Sequence, residues 1–247
     1  MTLARQPTRV IWVSPSPPAA RSAEGVAKVA GERVVIAPKD LEVWRSPPPV
    51  EYSIATEVEG IERLARLREW SSFHLVGFSA GATVALAATL ALGHKIQTLA
   101  LIEPATIGDD NWSGSEAAWR ARIEKIFALA PSEHQQAFLQ QMVPDGVVAP
   151  EQKPLTAADI EGDLRLYHGA LRTTGFLSAD LRGLTQPVLI VTGGLSHPRF
   201  ADVADRLAEV IPNPQAVGFP TCSHLHSPQR HEPEALAEAL LDRKSVV

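Results

Sequence analysis

Short apolar runs, rich in β-branched residues and bounded by turn residues, recur along the chain at 9–13, 33–37, 73–77, 98–102, 188–192 and 215–219. Each is too short for a helix of its own and predicts a strand. Between them, apolar positions spaced three and four apart predict helices at 56–70, 80–92, 200–210 and 233–241. Strand alternating with helix is the pattern of an α/β fold, here a parallel sheet of about six strands covered by helices on both faces. The near-continuous apolar run Leu99-Ala100-Leu101-Ile102 fits a strand buried on both sides.

The alternation breaks in the third quarter of the chain. From 108 to 184 the pattern gives helices at 115–129, 132–142 and 157–171, separated by Pro131, Pro144, Pro150 and Pro154, and no convincing strand. This segment reads as a helical lid inserted after the fourth strand, with residues 1–107 and 185–247 forming the core. Its aromatic residues Trp112, Trp119, Phe127, Phe138 and Tyr167 fit a plain core and would equally line a pocket.

Composition narrows the partners. The chain has 247 residues, enough for one sizeable domain with an excursion. Its 23 basic and 28 acidic residues, a formal net charge of -5, give no electrostatic basis for gripping nucleic acid or an anionic membrane. A small-molecule substrate is the expected partner, and nothing in the sequence indicates an oligomer. The single cysteine, Cys222, excludes a disulfide within the chain and suits a reducing compartment. The first apolar run, Val10 to Val13, is too short for a signal-peptide core, so a cytoplasmic protein is expected.

The candidate chemistry centres on Gly77-Phe78-Ser79-Ala80-Gly81, where the third strand runs into an alanine-rich helix. A serine at the tip of so sharp a turn needs small neighbours, and Gly77 and Gly81 supply them. An unassisted hydroxyl is a poor nucleophile at neutral pH and needs a base, itself oriented by an acid. In an open parallel sheet the reactive groups gather at the carboxyl ends of the strands. That limits the bases to His224 and His226, which follow the last strand, with His197 less well situated; His224 is the expected base. The loop after the fifth strand, Gly193-Gly194-Leu195-Ser196-His197-Pro198, holds no carboxylate. Glu103, which ends the fourth strand twenty-four residues beyond Ser79, is the expected acid, with Asp202 in reserve. Two N–H donors are needed for a developing oxyanion. Ala80 supplies one at the helix start, and the loop Ser14-Pro15-Ser16-Pro17-Pro18, three of whose residues lack an N–H, leaves Ser16, or less favourably Ser14.

With these motifs the chain resembles the α/β-hydrolase superfamily over nearly its whole length. The segment from Phe73 to Ala82 is similar to the family's nucleophile motif, and the segments 188–193 and 220–233 look like its last two strand ends. Pro220, four residues before His224, suits a catalytic histidine, whereas His226 has the more usual distance to Pro233. The resemblance implies a serine hydrolase that works through an acyl-enzyme intermediate without a cofactor or metal, on a small or medium ester, thioester or related acyl substrate. Ser14-Pro15 stands where the family has His-Gly, and Ser196 where it has aspartate; some members carry the acid where Glu103 stands. Serine rather than aspartate at position 79 argues against dehalogenase chemistry. Two alternatives stay open: a binding protein that kept the fold without turnover, and a lyase or carbon-carbon bond hydrolase using the same triad.

Overall fold

The computed structural model describes residues 7–109, 114–150 and 153–242. Six strands form one sheet: β1 (Thr8–Ser14), β2 (Val34–Asp40), β3 (Phe73–Phe78), β4 (Ile96–Ile102), β5 (Val188–Gly193) and β6 (Gln215–Phe219). Their order is β2-β1-β3-β4-β5-β6 and every pairing is parallel. All six predicted strands are present at nearly the predicted bounds. The longest departure is β2, which continues through Pro38. It is an edge strand, where a residue without an N–H is tolerated.

Alternate side chains of each strand feed two separate apolar layers, as the twofold repeat of an extended chain requires. Ile11, Val13, Leu75, Leu99, Leu101 and Ile190 face one layer. Val10, Trp12, Val76, Ala100, Ile102 and Leu189 face the other. Side chains such as Ile11 and Leu101, with no exposed surface, each contribute roughly 1.5–3 kcal/mol by leaving water. The first layer is closed by α2 (Ile54–Leu67), α3 (Ala80–Leu92) and α7 (Arg199–Val210); the second by α1 (Ala19–Ala30) and α9 (Pro233–Leu241), which follows the short α8 (Pro228–His231).

Helix α1 is absent from the periodicity-based expectation. The face it buries is made of Ala19, Ser22, Ala23, Val26 and Ala30, which has helical spacing but only one large apolar side chain, and Gly25 stands in its middle. That glycine is a packing requirement: a Cβ there would lie 2.8 Å from the Gln229 carbonyl oxygen. Helix α2 stops three residues before the predicted end, where Glu69 takes a positive φ of 55°.

Helix α3 is buried almost all round, from Ala80 to Thr89 and at Leu92. Its alanines let it lie against the sheet on one side and further helices on the other. The polar groups it takes inside are satisfied: Thr83 Oγ1 donates to the Thr106 carbonyl at 2.8 Å, and Thr89 Oγ1 to that of Ala85 at 2.7 Å.

Between β4 and β5 every described element is helical. They are α4 (Gly114–Phe127), α5 (Pro131–Gln140), α6 (Ala157–Leu166), a π-turn at Tyr167–Leu171 and a 3-10 turn at Ser178–Gly183. Trp119 and Tyr167 join the apolar layer beneath, and Phe127 and Phe138 pack against it. Trp112 lies outside the described residues. Among those residues no helix is long and apolar enough to cross a membrane.

Candidate active site

The carboxyl ends of four consecutive strands of the sheet, β3 to β6, converge on one point. Ser79 follows β3 with φ 55° and ψ -123°, a conformation that L-residues rarely adopt. Four backbone bonds hold it there: the Ser79 N–H donates to the Ile102 carbonyl at 2.9 Å, and the Ser79 carbonyl accepts from Ala82 at 2.9 Å, Thr83 at 3.3 Å and Ala105 at 3.2 Å. The turn is so tight that Cβ atoms on its two glycines would collide with backbone. On Gly77 one would lie 2.5 Å from the Gly81 oxygen, and on Gly81 one would lie 2.5 Å from the Val13 oxygen.

Ser79 Oγ lies 3.0 Å from His224 Nε2, and His224 Nδ1 lies 2.9 Å from Glu103 Oε2. His224 comes from the loop after β6 and Glu103 from the residue after β4. Glu103 is fully buried and also has a positive φ, 45°. Its other oxygen, Oε1, accepts the Gly193 N–H at the end of β5 at 2.8 Å. With one carboxylate oxygen taken by a backbone donor and the other by Nδ1, the imidazole carries its proton on Nδ1 and presents a bare Nε2 to the serine hydroxyl. The ring is held face to face with Phe200 at 4.2 Å between centroids, and Phe78 lies 5.1 Å away on a tilt.

The other candidates lie elsewhere. His226 is exposed and packs on His231 at 5.0 Å between rings. His197 Nδ1 accepts the Arg199 N–H at 3.2 Å. Asp202 is exposed on α7, where it accepts from Ser115 Oγ at 2.6 Å. Ser196 is buried, with an Oγ that has no partner.

A cavity of about 440 Å³ opens over Ser79 and His224. Ala80 and Ser16 both line it. The Ala80 N–H belongs to the first turn of α3, whose donors have no partner within the helix. The Ser14–Pro18 loop is tied down from outside, because Trp44 Nε1 donates to the Pro15 carbonyl at 2.7 Å. Trp44 in turn follows Glu42 and Val43, whose N–H groups donate to the fully buried Glu57 at 2.9 and 3.3 Å. The far wall comes from the helices between β4 and β5: Trp119, Ile123, Phe127, Phe138, Leu166 and Tyr167. Four of the five predicted aromatic residues therefore serve as core and as cavity lining at once.

Three features of this site carry no motif in the sequence: the stacking of Phe200, the buried Arg199 and the half-buried Asp163. Asp163 lines the cavity, and its carboxyl is pushed up to about 7 by burial, with Asp159 adding to the effect. Among the described residues no group of three or more His, Cys, Asp or Glu side chains is placed to hold a metal. A hydroxyl bonded to an oriented imidazole, beside free helix-start donors and facing an apolar cavity, can attack a carbonyl and hand its proton on.

These features define the class. The model of the alpha/beta hydrolase family matches residues 40–239, and the chain belongs to that family. Its fold is shared by an alpha/beta hydrolase enzyme, MGS-M2, from a Medee basin deep-sea metagenome library, at 17% identity, with 98% of this chain and 90% of that one covered and a TM-score of 0.73. A hydrolase from Pseudomonas aeruginosa PA01 is similar at 18% identity, 96% and 90% coverage and a TM-score of 0.71. The carboxylesterase CesB from Bacillus subtilis is similar at 14% identity, 96% and 84% coverage and a TM-score of 0.67. No curated protein matches the chain.

The elbow and the cavity each yield a measurable expectation. Gly81→Ala should lower the unfolding free energy by about 3 kcal/mol in a denaturant titration, because the rigid Val13 backbone must move. Gly183→Ala, where an added Cβ meets nothing within 4 Å, should change it by less than about 0.5 kcal/mol.

For Asp163, the folded chain holds the proton up to about pH 7 and the unfolded chain releases it near the ordinary carboxylate value. Stability from this group is full below about pH 4 and is lost as the pH rises toward 7. Asp163→Asn should match the wild type at pH 4 and exceed it by about 2 kcal/mol at pH 8, allowing for partial exposure. A gap that stays flat across that range would show that Asp163 does not titrate there.

Proposed function

We propose that the protein is a serine hydrolase acting on a small or medium ester, thioester or related acyl substrate. The observation that carries this reading is the unbroken relay from Ser79 Oγ through His224 to Glu103, at 3.0 and 2.9 Å, opening on the cavity. In acylation Ser79 Oγ bonds to the acyl carbon while His224 Nε2 takes the hydroxyl proton. The Ala80 and Ser16 N–H groups hold the oxyanion, and the leaving group departs with the proton from His224. In deacylation a water gives a proton to His224 and attacks the same carbon, and the Ser79–acyl bond breaks as His224 returns that proton to Ser79 Oγ, freeing the acid. Glu103 stays ionised throughout and stabilises the imidazolium that forms in each half. The helical segment 108–184 acts as the lid that selects the substrate, and the lone buried Cys222 suits a cytoplasmic, reducing setting.

A short p-nitrophenyl ester and a fluorophosphonate probe test the reading. Wild-type protein should turn over the ester and be labelled. Ser79→Ala should lose labelling, and Ser79→Ala and His224→Ala should each lower kcat by about 10⁴-fold or more. Glu103→Gln should lower it by about 10²–10⁴-fold, since the neutral amide no longer supports the imidazolium. His226→Ala should stay within about twofold of wild type. An unlabelled, inert wild-type serine would mean a binding protein, and normal turnover by Glu103→Gln would remove Glu103 from the relay.

A further inference from the structure

Arg199 is the first residue of α7, and its side chain is almost wholly buried in the wall of the cavity that holds Ser79. A guanidinium has five N–H donors and is charged at any ordinary pH. Nη2 uses its two on the Ala105 carbonyl at 2.6 Å and Glu116 Oε2 at 2.9 Å. Nε and Nη1, which carry the other three, have no acceptor. The group is wedged between aromatic faces, 3.7 Å from the Trp119 ring centroid and 4.9 Å from that of Phe200.

Three aspects of this arrangement are unfavourable without a further anion. Buried donors are nearly always bonded, and three are left over here. The carboxylate of Glu116 is divided, because its Oε1 also accepts Arg120 Nε at 3.1 Å. A cation at the start of a helix opposes the partial positive charge of that terminus. The lining as a whole is cationic in a chain of net charge -5: Arg21, Lys153, Arg199 and Arg230 stand against Asp163, whose own charge is suppressed near neutrality. Such a cavity raises the local concentration of anions.

We infer that Arg199 binds a carboxylate on the acyl part of the substrate, so that the enzyme takes monoesters or monothioesters of dicarboxylic acids. This rests on the hydrolase reading above and names its substrate class. The acyl part is chosen over the leaving group because Arg199 is tied to the backbone of Ser79, to which that half of the substrate stays bonded through both steps. The guanidinium connects to that serine through one residue, since Ala105 accepts from Arg199 and donates to the Ser79 carbonyl. Both unbonded nitrogens are covered, so the side chains over them must shift for the carboxylate to reach them.

The test compares mono-p-nitrophenyl glutarate with p-nitrophenyl valerate, which has the same length and a methyl in place of the second carboxylate. Wild-type kcat/KM should favour the glutarate ester, and in Arg199→Gln the ratio between the two should fall by at least about tenfold. A merely structural role would lower both rates together and leave the ratio unmoved, which overturns the inference. Should Arg199→Gln fail to fold, the wild-type preference decides alone, and its absence is equally fatal. Calorimetry on Ser79→Ala provides a second reading that needs no turnover: glutarate should bind at least about tenfold more tightly than valerate. Equal binding overturns the inference. Loss of turnover on both esters with glutarate still preferred in the calorimeter would instead remove the hydrolase reading.

Discussion

The site depends on the backbone corner at Ser79. A φ of 55° at a residue with a side chain is a strained state, and it persists only where surrounding structure fixes it more firmly than the strain opposes it. Here the Ser79 N–H is tied to Ile102 at the end of β4 and its carbonyl to Ala105 just beyond, and the Val13 backbone leaves no room for a Cβ at Gly81. The corner cannot relax without separating β3 from its neighbours on both sides. The strain turns the hydroxyl out of the sheet and leaves the first amides of α3 next to it, so the proposed nucleophile and one proposed oxyanion donor come from a single local distortion.

The neighbouring strands complete the arrangement by adjacency. Because β3, β4, β5 and β6 lie side by side and parallel, their carboxyl ends deliver Ser79, Glu103, the Gly193 N–H and His224 to one edge. The loop after β5 has no carboxylate, but the last residue of that strand contributes the amide that orients Glu103 beyond β4. This explains how a chain with Ser196 in the loop after β5 still presents an acid to its histidine. It also accounts for the positive φ of Glu103, which turns a residue one step beyond the strand back under the imidazole.

Much of this was legible in the sequence, for identifiable reasons. Strands buried on both faces have almost no polar positions, so their limits stood out, and the Gly-x-Ser-x-Gly spacing carries its own steric logic. Ser79, His224 and Glu103 were each deducible from following a strand, and the structure brings all three together. Helix α1 was not legible because four of the five residues it buries are alanine or serine, leaving Val26 as the one large apolar mark of its inner face. Arg199, Phe200 and Asp163 were not legible for a different reason. Their meaning comes from helices that meet across the chain, such as α4 bringing Trp119 and Glu116 to the start of α7.

The cavity combines an apolar lining with opposed, partly suppressed charges, and this constrains how it can work. An apolar cavity of this size with no charge would bind any acyl chain that fits, since one methylene changes binding only modestly. Buried polar groups discriminate more sharply, because a ligand that leaves them unbonded forfeits their full desolvation cost. Arg199 is such a group, and the Glu116 ion pair holds its position before any ligand arrives. The aromatic faces of Trp119 and Phe200 support its charge while they exclude water. Phe200 also stacks on the His224 ring, so the residues that hold the cation and the residues that hold the base form one packed unit at the start of α7. On the proposed reading, a carboxylate held by Arg199 would bear on Phe200, which stacks on His224, so recognition of the acyl chain and activation of Ser79 would share side-chain contacts.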